Sequence, residues 1–194
     1  YLDDINLNNL NSTINGEFER KKIRIRTYSN KHVNEKNIYL EIKQKSNNRS
    51  FKKRNSYLKV PINFNSDYDL LNKFYLEKNS EIKNKLNKIY NKVIFINYKR
   101  LRFDDFKNNT RISLDTEIKS KLTSEKMTSY NFKNLKINVL ELKNKNLNGI
   151  TETYKQIIDK EPLIWTSFSK YSTCFFSHSE NKLKFGYGNH IINN

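Results

Sequence analysis

Lys22-Ile23-Arg24-Ile25-Arg26-Thr27-Tyr28 alternates cationic and β-branched residues with a period of two. A strand sends successive side chains to opposite faces. Lys22, Arg24, Arg26 and Tyr28 therefore share one face, and Ile23, Ile25 and Thr27 share the other. The apolar face requires a core. The basic face requires water or an anion.

The same two-faced pattern recurs outward from this stretch. The opening strand is expected from Glu17, after the Asn15-Gly16 turn, to Tyr28. Residues 37–45 set Ile38, Leu40 and Ile42 against Tyr39, Glu41, Lys43 and Lys45. Ser46-Asn47-Asn48 turns the chain into a hairpin with residues 49–60, where Lys52 and Arg54 share a face. Further strands are expected at 92–103, with Arg100 on the face of Tyr98 and Arg102, and at 110–117. In the latter, Arg111, Ser113, Asp115 and Glu117 oppose Ile112 and Leu114. Residues 136–145 set Glu141, Lys143 and Lys145 against Leu140 and Leu142. Residues 1–11 start abruptly, and 121–132 fit neither period.

Helices are expected where the period changes. Ser66 with Asp69 three residues on forms a capping box before Leu70, Leu71, Phe74 and Tyr75. Ser80 is read as the cap of a second helix carrying Ile82, Leu86 and Ile89. Thr151 opens a short helix that Pro162 stops, and the aromatic-rich residues 163–176 supply a closing helix. With no repeat and no linker, the expectation is one domain over 1–176 and a loose tail over 177–194.

The chain has 194 residues, 37 Lys and Arg against 20 Asp and Glu, and a formal charge of +17. Such an excess implies an anionic partner: nucleic acid, a membrane surface or phosphate. Alanine is absent and Asn, Lys and Ile are abundant, which reads as AT-rich coding. Part of the Lys excess is therefore codon bias, and Arg is the better witness. Cys174 is the lone cysteine, which leaves no internal disulfide and no thiolate zinc site and fits a reducing, cytoplasmic location. No apolar run approaches the roughly 20 residues that span a bilayer. The 12 Phe and 12 Tyr need a core and argue against disorder.

A charged face on a single strand is ordinarily a solvated one. Here the charged faces are rich in Arg and in Glu-x-Lys pairs. A sheet with helices on its apolar side presents its other side to water or closes on itself. The fold expected is α+β: an antiparallel β-barrel, or tunnel, with helices packed outside, whose lumen gathers these charges. The planar Arg fork binds phosphate bidentately, and a carboxylate among cations suits a divalent metal that bridges phosphates.

On these residues the sequence resembles the VTC domain, the polyphosphate polymerase module of the triphosphate tunnel metalloenzyme (CYTH-like) group. Tyr1-Leu2-Asp3-Asp4 resembles its Y-F-D strand end, and Gly16 to Tyr28 its G-x-x-x-R-x-K-x-R-x-R-x-Y element. Residues 39–45 and 52–54 resemble its E-x-K strand and the basic strand that follows. Residues 97–100 with 111–117 resemble its adjacent strand pair, 139–143 its metal-carboxylate strand, and Phe168-Ser169-Lys170-Tyr171 its closing S-K-Y, in the bacterial style. The pieces stand in the family's order along nearly the whole chain.

The resemblance implies transfer of the ATP γ-phosphoryl group to a growing polyphosphate chain, with ATP and inorganic polyphosphate as partners and Mn²⁺ or Mg²⁺ as cofactor. Arg24, Arg26, Arg100 and Arg111 would grip phosphate, and Lys170 would close the channel. Lys22, Lys43, Lys45, Arg54, Lys143, Ser169 and Tyr171 would assist. Glu141 would hold the metal, and Glu41 and Asp115 would balance charge and orient the arginines. Such chemistry needs positioning and charge neutralisation more than a covalent nucleophile. The family begins with a basic strand and a helix before Y-F-D, so the chain is expected to be N-terminally incomplete.

Three other readings stay open. One is a triphosphate hydrolase or cyclase of the same fold, which favours a Glu-x-Glu-x-Lys opening strand. Another is a domain that only binds polyphosphate. The third is a nucleic-acid-binding β-domain; carboxylates among the cations argue against it, and no nucleic acid is expected. His32, His178 and His190 fall in loops or tail and receive no role, and Tyr98, Phe103 and Trp165 read as core.

Overall fold

The computed structural model describes residues 1–28, 35–47, 49–61, 66–107, 109–124, 127–129, 131–144, 155–156, 159–160, 162–164 and 166–179. His32, Lys145, Trp165, His190, the Thr151 helix start and residues 180–194 of the expected tail lie outside them. The fold is α+β with antiparallel sheets. The chain forms two compact units, residues 1–95 with 121–130, and residues 96–120 with 131–194.

The first unit is built on β2 (Arg20–Thr27), β3 (Glu35–Ser46) and β4 (Arg49–Pro61), the strands expected from the alternation. They join β1 (Leu2–Asp3) and β5 (Asn91–Lys92) in the order β4-β3-β2-β1-β5. The apolar face of this sheet buries Leu2, Ile23, Ile38 and Leu40 against Leu70, Phe74, Tyr75 and Ile82. Those four come from one helix, α2 (Asp67–Leu86), rather than the two that Ser66 and Ser80 suggested. Ser66 caps it, accepting from the Asp69 amide at 3.2 Å. Ser80 lies inside, because no Gly or Pro interrupts the helix and one buried stripe runs from Leu70 to Ile82. Asn87 ends it with φ 51°, the left-handed position usually given to glycine. Asn47 (φ 50°) in the β3–β4 turn and Asn109 (φ 49°) before β7 do the same in this glycine-poor chain.

A short helix, α1 (Asn8–Ile14), was not anticipated in the Asn-rich start. Its amides are capped from a distance: Asp3, fully buried, accepts from the backbone N–H groups of Asn9 and Leu10 at 3.0 and 2.8 Å. Asp4 accepts from Asn8 N–H and pairs with Lys88 at 2.6 Å.

In the second sheet the order is β10-β7-β6, from β10 (Val139–Asn144), β7 (Thr110–Ser124) and β6 (Ile94–Asp105), with the short β8 (Met127–Thr128) and β9 (Lys133–Asn134) also paired to β7. The strand expected from 92 to 103 is broken at Val93, whose backbone bonds instead to Tyr1 and Thr123. β7 runs on into the stretch that fitted neither period, and Glu117 (φ 50°) explains why. Ser113 and Asp115 are buried, then Ile118 and Ser120. A residue in the left-handed region re-phases the strand as in a β-bulge. Glu117 thereby leaves the face it was expected to share with Asp115 and pairs with Lys99 at 2.6 Å.

The closing helix, α3 (Lys170–Ser177), starts later than residue 163. Ser177 to Ser179 stay tied to its last turn through Ser177 Oγ and the amides of His178 and Ser179. Residues 155, 156, 159 and 160 are helical, as expected before Pro162. Phe103, read as core, is 60% exposed, because β6 ends the strand order of its sheet among the described residues. No closed barrel forms among the described residues.

Candidate functional site

In the first unit the cross-strand register aligns Arg24, Glu41 and Arg54 in one row over three strands. The carboxylate thus lies between two guanidiniums. Arg24 donates to Glu41 Oε2 from Nε at 3.0 Å and from Nη2 at 2.7 Å. Arg26 reaches the same oxygen at 3.3 Å. Arg54 Nε donates to Oε1 at 2.8 Å, and Lys52 Nζ lies 3.1 Å from it. One carboxylate, 2% exposed, so organises four cations. Burial pushes the Glu41 carboxyl up, but the bonds from Arg24 and the charges of Arg24 and Arg26 outweigh it and hold it at about 2. Burial alone would lower the Arg24 guanidinium; Tyr1 and Glu41 raise it instead.

Each of the three arginines also lies over a tyrosine ring: Arg24 over Tyr1 at 5.9 Å, Arg26 over Tyr28 at 4.1 Å and Arg54 over Tyr39 at 5.0 Å. The guanidiniums are held from two sides. The neighbouring row is Lys22, Lys43 and Lys52. Burial, then Lys43, Arg20 and Arg24, push the Lys22 ammonium down to about 8. The shift marks a face on which cations crowd one another. Lys45 stands opposite Arg20, two residues further along β3 from the Lys22–Lys43 row.

In the second unit Asp115 is fully buried and takes both Nε and Nη2 of Arg100 as a bidentate pair. Lys170, the first residue of α3, closes on its Oδ2. Burial pushes the Asp115 carboxyl up, but Arg100 and Lys170 hold it below the ordinary carboxylate range. Tyr98, expected as core, instead lies against both cations, 5.4 Å from Arg100 and 5.0 Å from Lys170. Glu141 stands across from Ser113, 3.8 Å from Arg100 and 3.2 Å from Lys143.

Arg24, Arg26, Arg54 and Glu41 are thus brought together, as are Arg100, Asp115, Lys170 and Glu141 with Lys143. Arg111 stands opposite Lys143 in the β7–β10 register, but its side chain turns to Asp104 at 2.6 Å. Tyr171 is buried, and Ser169 sits at the N-terminus of α3 with its carbonyl accepting from Thr173 N–H. Sequence reasoning omitted Lys52 from the site, although its face was read, and omitted the tyrosine partners. His178, which received no role, lies with its Nε2 3.0 Å from Ser120 Oγ on β7.

A metal has limited options here. No group of three His, Cys, Asp or Glu gathers among the described residues. Asp115 is buried under Arg100 and Lys170, whereas Glu141, though paired with Lys143 and Arg100, is the more exposed carboxylate of its group. A single carboxylate fits Mg²⁺ or Mn²⁺ when phosphate oxygens and waters complete the shell.

A buried carboxylate thus marshals arginines on one face of an antiparallel sheet. The VTC domain model matches residues 1–177, and the chain belongs to that family. No curated protein matches the chain. The family is linked to polyphosphate, and no helix among the described residues is long and apolar enough to cross a membrane.

Proposed function

We propose that this VTC domain is a polyphosphate polymerase that extends polyphosphate with the γ-phosphoryl group of ATP. The observation that carries this is the Glu41 group: four cations pre-set by one carboxylate, with positive charge in excess. A phosphate chain supplies the oxygens that such an array lacks. Arg24, Arg26 and Arg54 hold phosphate, with Lys22, Lys43 and Lys45 extending the basic face. Arg100, Arg111, Lys143, Lys170, Ser169 and Tyr171 are carried in the same proposal as phosphate contacts, and the tunnel form of the family belongs to it. An oxygen of the terminal polyphosphate unit attacks the γ-phosphorus, the bond to the β–γ bridging oxygen breaks, and ADP leaves. Glu141 would hold Mn²⁺ or Mg²⁺, which would neutralise phosphate charge. The chain's own work is to align the two phosphates and to stabilise the spreading charge.

A second reading, binding without turnover, draws on Glu141, whose oxygens already meet Lys143 and Arg100. One assay separates the two. With ATP and Mn²⁺ the protein should form polyphosphate, and Arg24→Ala and Glu141→Ala should each lower the rate about 100-fold or more. Polyphosphate binding with no product supports the second reading. No product, no phosphate release and tight DNA binding would sink both.

A further inference from the structure

Tyr28 follows the last residue of β2 and extends the row of Lys22, Arg24 and Arg26 on the charged face. Three contacts fix its ring. Arg26 lies over it at 4.1 Å, Tyr39 meets it edge-on at 5.8 Å and 71°, and its hydroxyl accepts from Arg54 Nη2 at 3.4 Å. Yet Tyr28 remains 45% exposed. The ring is thus held in place beside the cation cluster while nearly half of it stays open.

We infer that Tyr28 is a stacking platform for the nucleobase of a nucleoside triphosphate whose phosphates lie against Arg24, Arg26 and Arg54. This rests on the reading of the Glu41 group as a phosphate site. Two residues along a strand advance about 6.6 Å, so Tyr28 stands one such step beyond Arg26. A triphosphate held on these arginines with its γ-phosphate toward Arg24 places its ribose and base at that end. The ring needs no hydrogen-bond partner on the base, because every base has a π-face. Arg26 covers one face of the ring, so the base takes the other. Inorganic polyphosphate has nothing to place there, so Tyr28 distinguishes the nucleotide donor from the polymer without touching phosphate. The plainer role for Tyr28 is to steady Arg26, and the experiment separates the two.

The test measures binding of ATP and of inorganic tripolyphosphate to the full chain by titration calorimetry, for the wild type, Tyr28→Phe and Tyr28→Leu. The expected result is roughly tenfold weaker ATP binding in Tyr28→Leu, with tripolyphosphate unchanged and Tyr28→Phe like wild type for both. Unchanged tripolyphosphate binding also shows that the variant is folded. Equal loss of both ligands assigns Tyr28 to supporting Arg26 and overturns the inference. So does no loss of either, or a wild type that binds tripolyphosphate as well as ATP, and these outcomes leave the phosphate site standing. A wild type that binds neither ligand removes the phosphate site and the inference together.

Discussion

Glu41 concentrates the energetics of its sheet in one side chain. Removing a buried carboxylate leaves cations facing one another, so Glu41→Gln should destabilise the protein by about 3 kcal/mol in urea unfolding. The pH dependence has a definite sign. Its carboxyl is held at about 2 when folded, below its usual 4.5. A depressed carboxyl contributes stability above its unfolded pKa and loses it as pH falls through the folded value. Wild-type stability should thus drop between about pH 4.5 and 2, and Asp115, also depressed, adds in the same direction. Glu41→Gln should flatten part of that slope; an unchanged slope would remove Glu41 from this role. The central members of the group, Arg24, Arg26, Glu41 and Arg54, were legible because period two fixes which residues share a face. The tyrosines beneath the arginines were not, because a face assignment says nothing about how long side chains lean.

Among the elements, α2 shows where local signals mislead. Ser66 and Ser80 look alike in sequence, and capping chemistry favours both. Only tertiary burial of Leu70, Phe74, Tyr75 and Ile82 along one stripe decides that Ser80 is interior. Substitution separates them: Ser66→Ala should cost about 1 kcal/mol, while Ser80→Ala should be neutral or stabilising by a few tenths. Thermal unfolding of the two variants reads the difference; equal losses would restore two helices. β7 misled for another reason. Its pattern is regular up to Asp115, and the left-handed Glu117 then shifts the phase, which no residue type announces. Turns were legible despite the scarcity of glycine because Asn47 could be read as a turn residue. Asn87 and Asn109, doing the same work, were lost among so many other asparagines.

For the whole molecule, strand formation and α+β class were readable, but strand order was only partly so. The β3–β4 hairpin follows from a short turn. The insertion of β1 between β2 and β5 rests on pairings such as Leu2 with Ile23 and Lys92, which no local pattern encodes. The charge of +17 makes a global prediction. Self-repulsion of that size is relieved by anions, and by multivalent ones most. At matched ionic strength tripolyphosphate should raise Tm more than chloride does. The increment should shrink above about pH 8, where Lys22 gives up its proton. Equal effects of the two salts would reduce the basic faces to ordinary screening.

Glu41 carries a consequence for how such a domain could evolve. A strand face crowded with arginine is hard to fold before its ligand exists, and this one brings its own counter-ion. The carboxylate serves as a mould for the cations, so the binding face is cast during folding rather than on encounter. In a lineage that lost Glu41, that mould would have to come from outside. On the proposed function, polyphosphate would then become something the protein requires in order to fold.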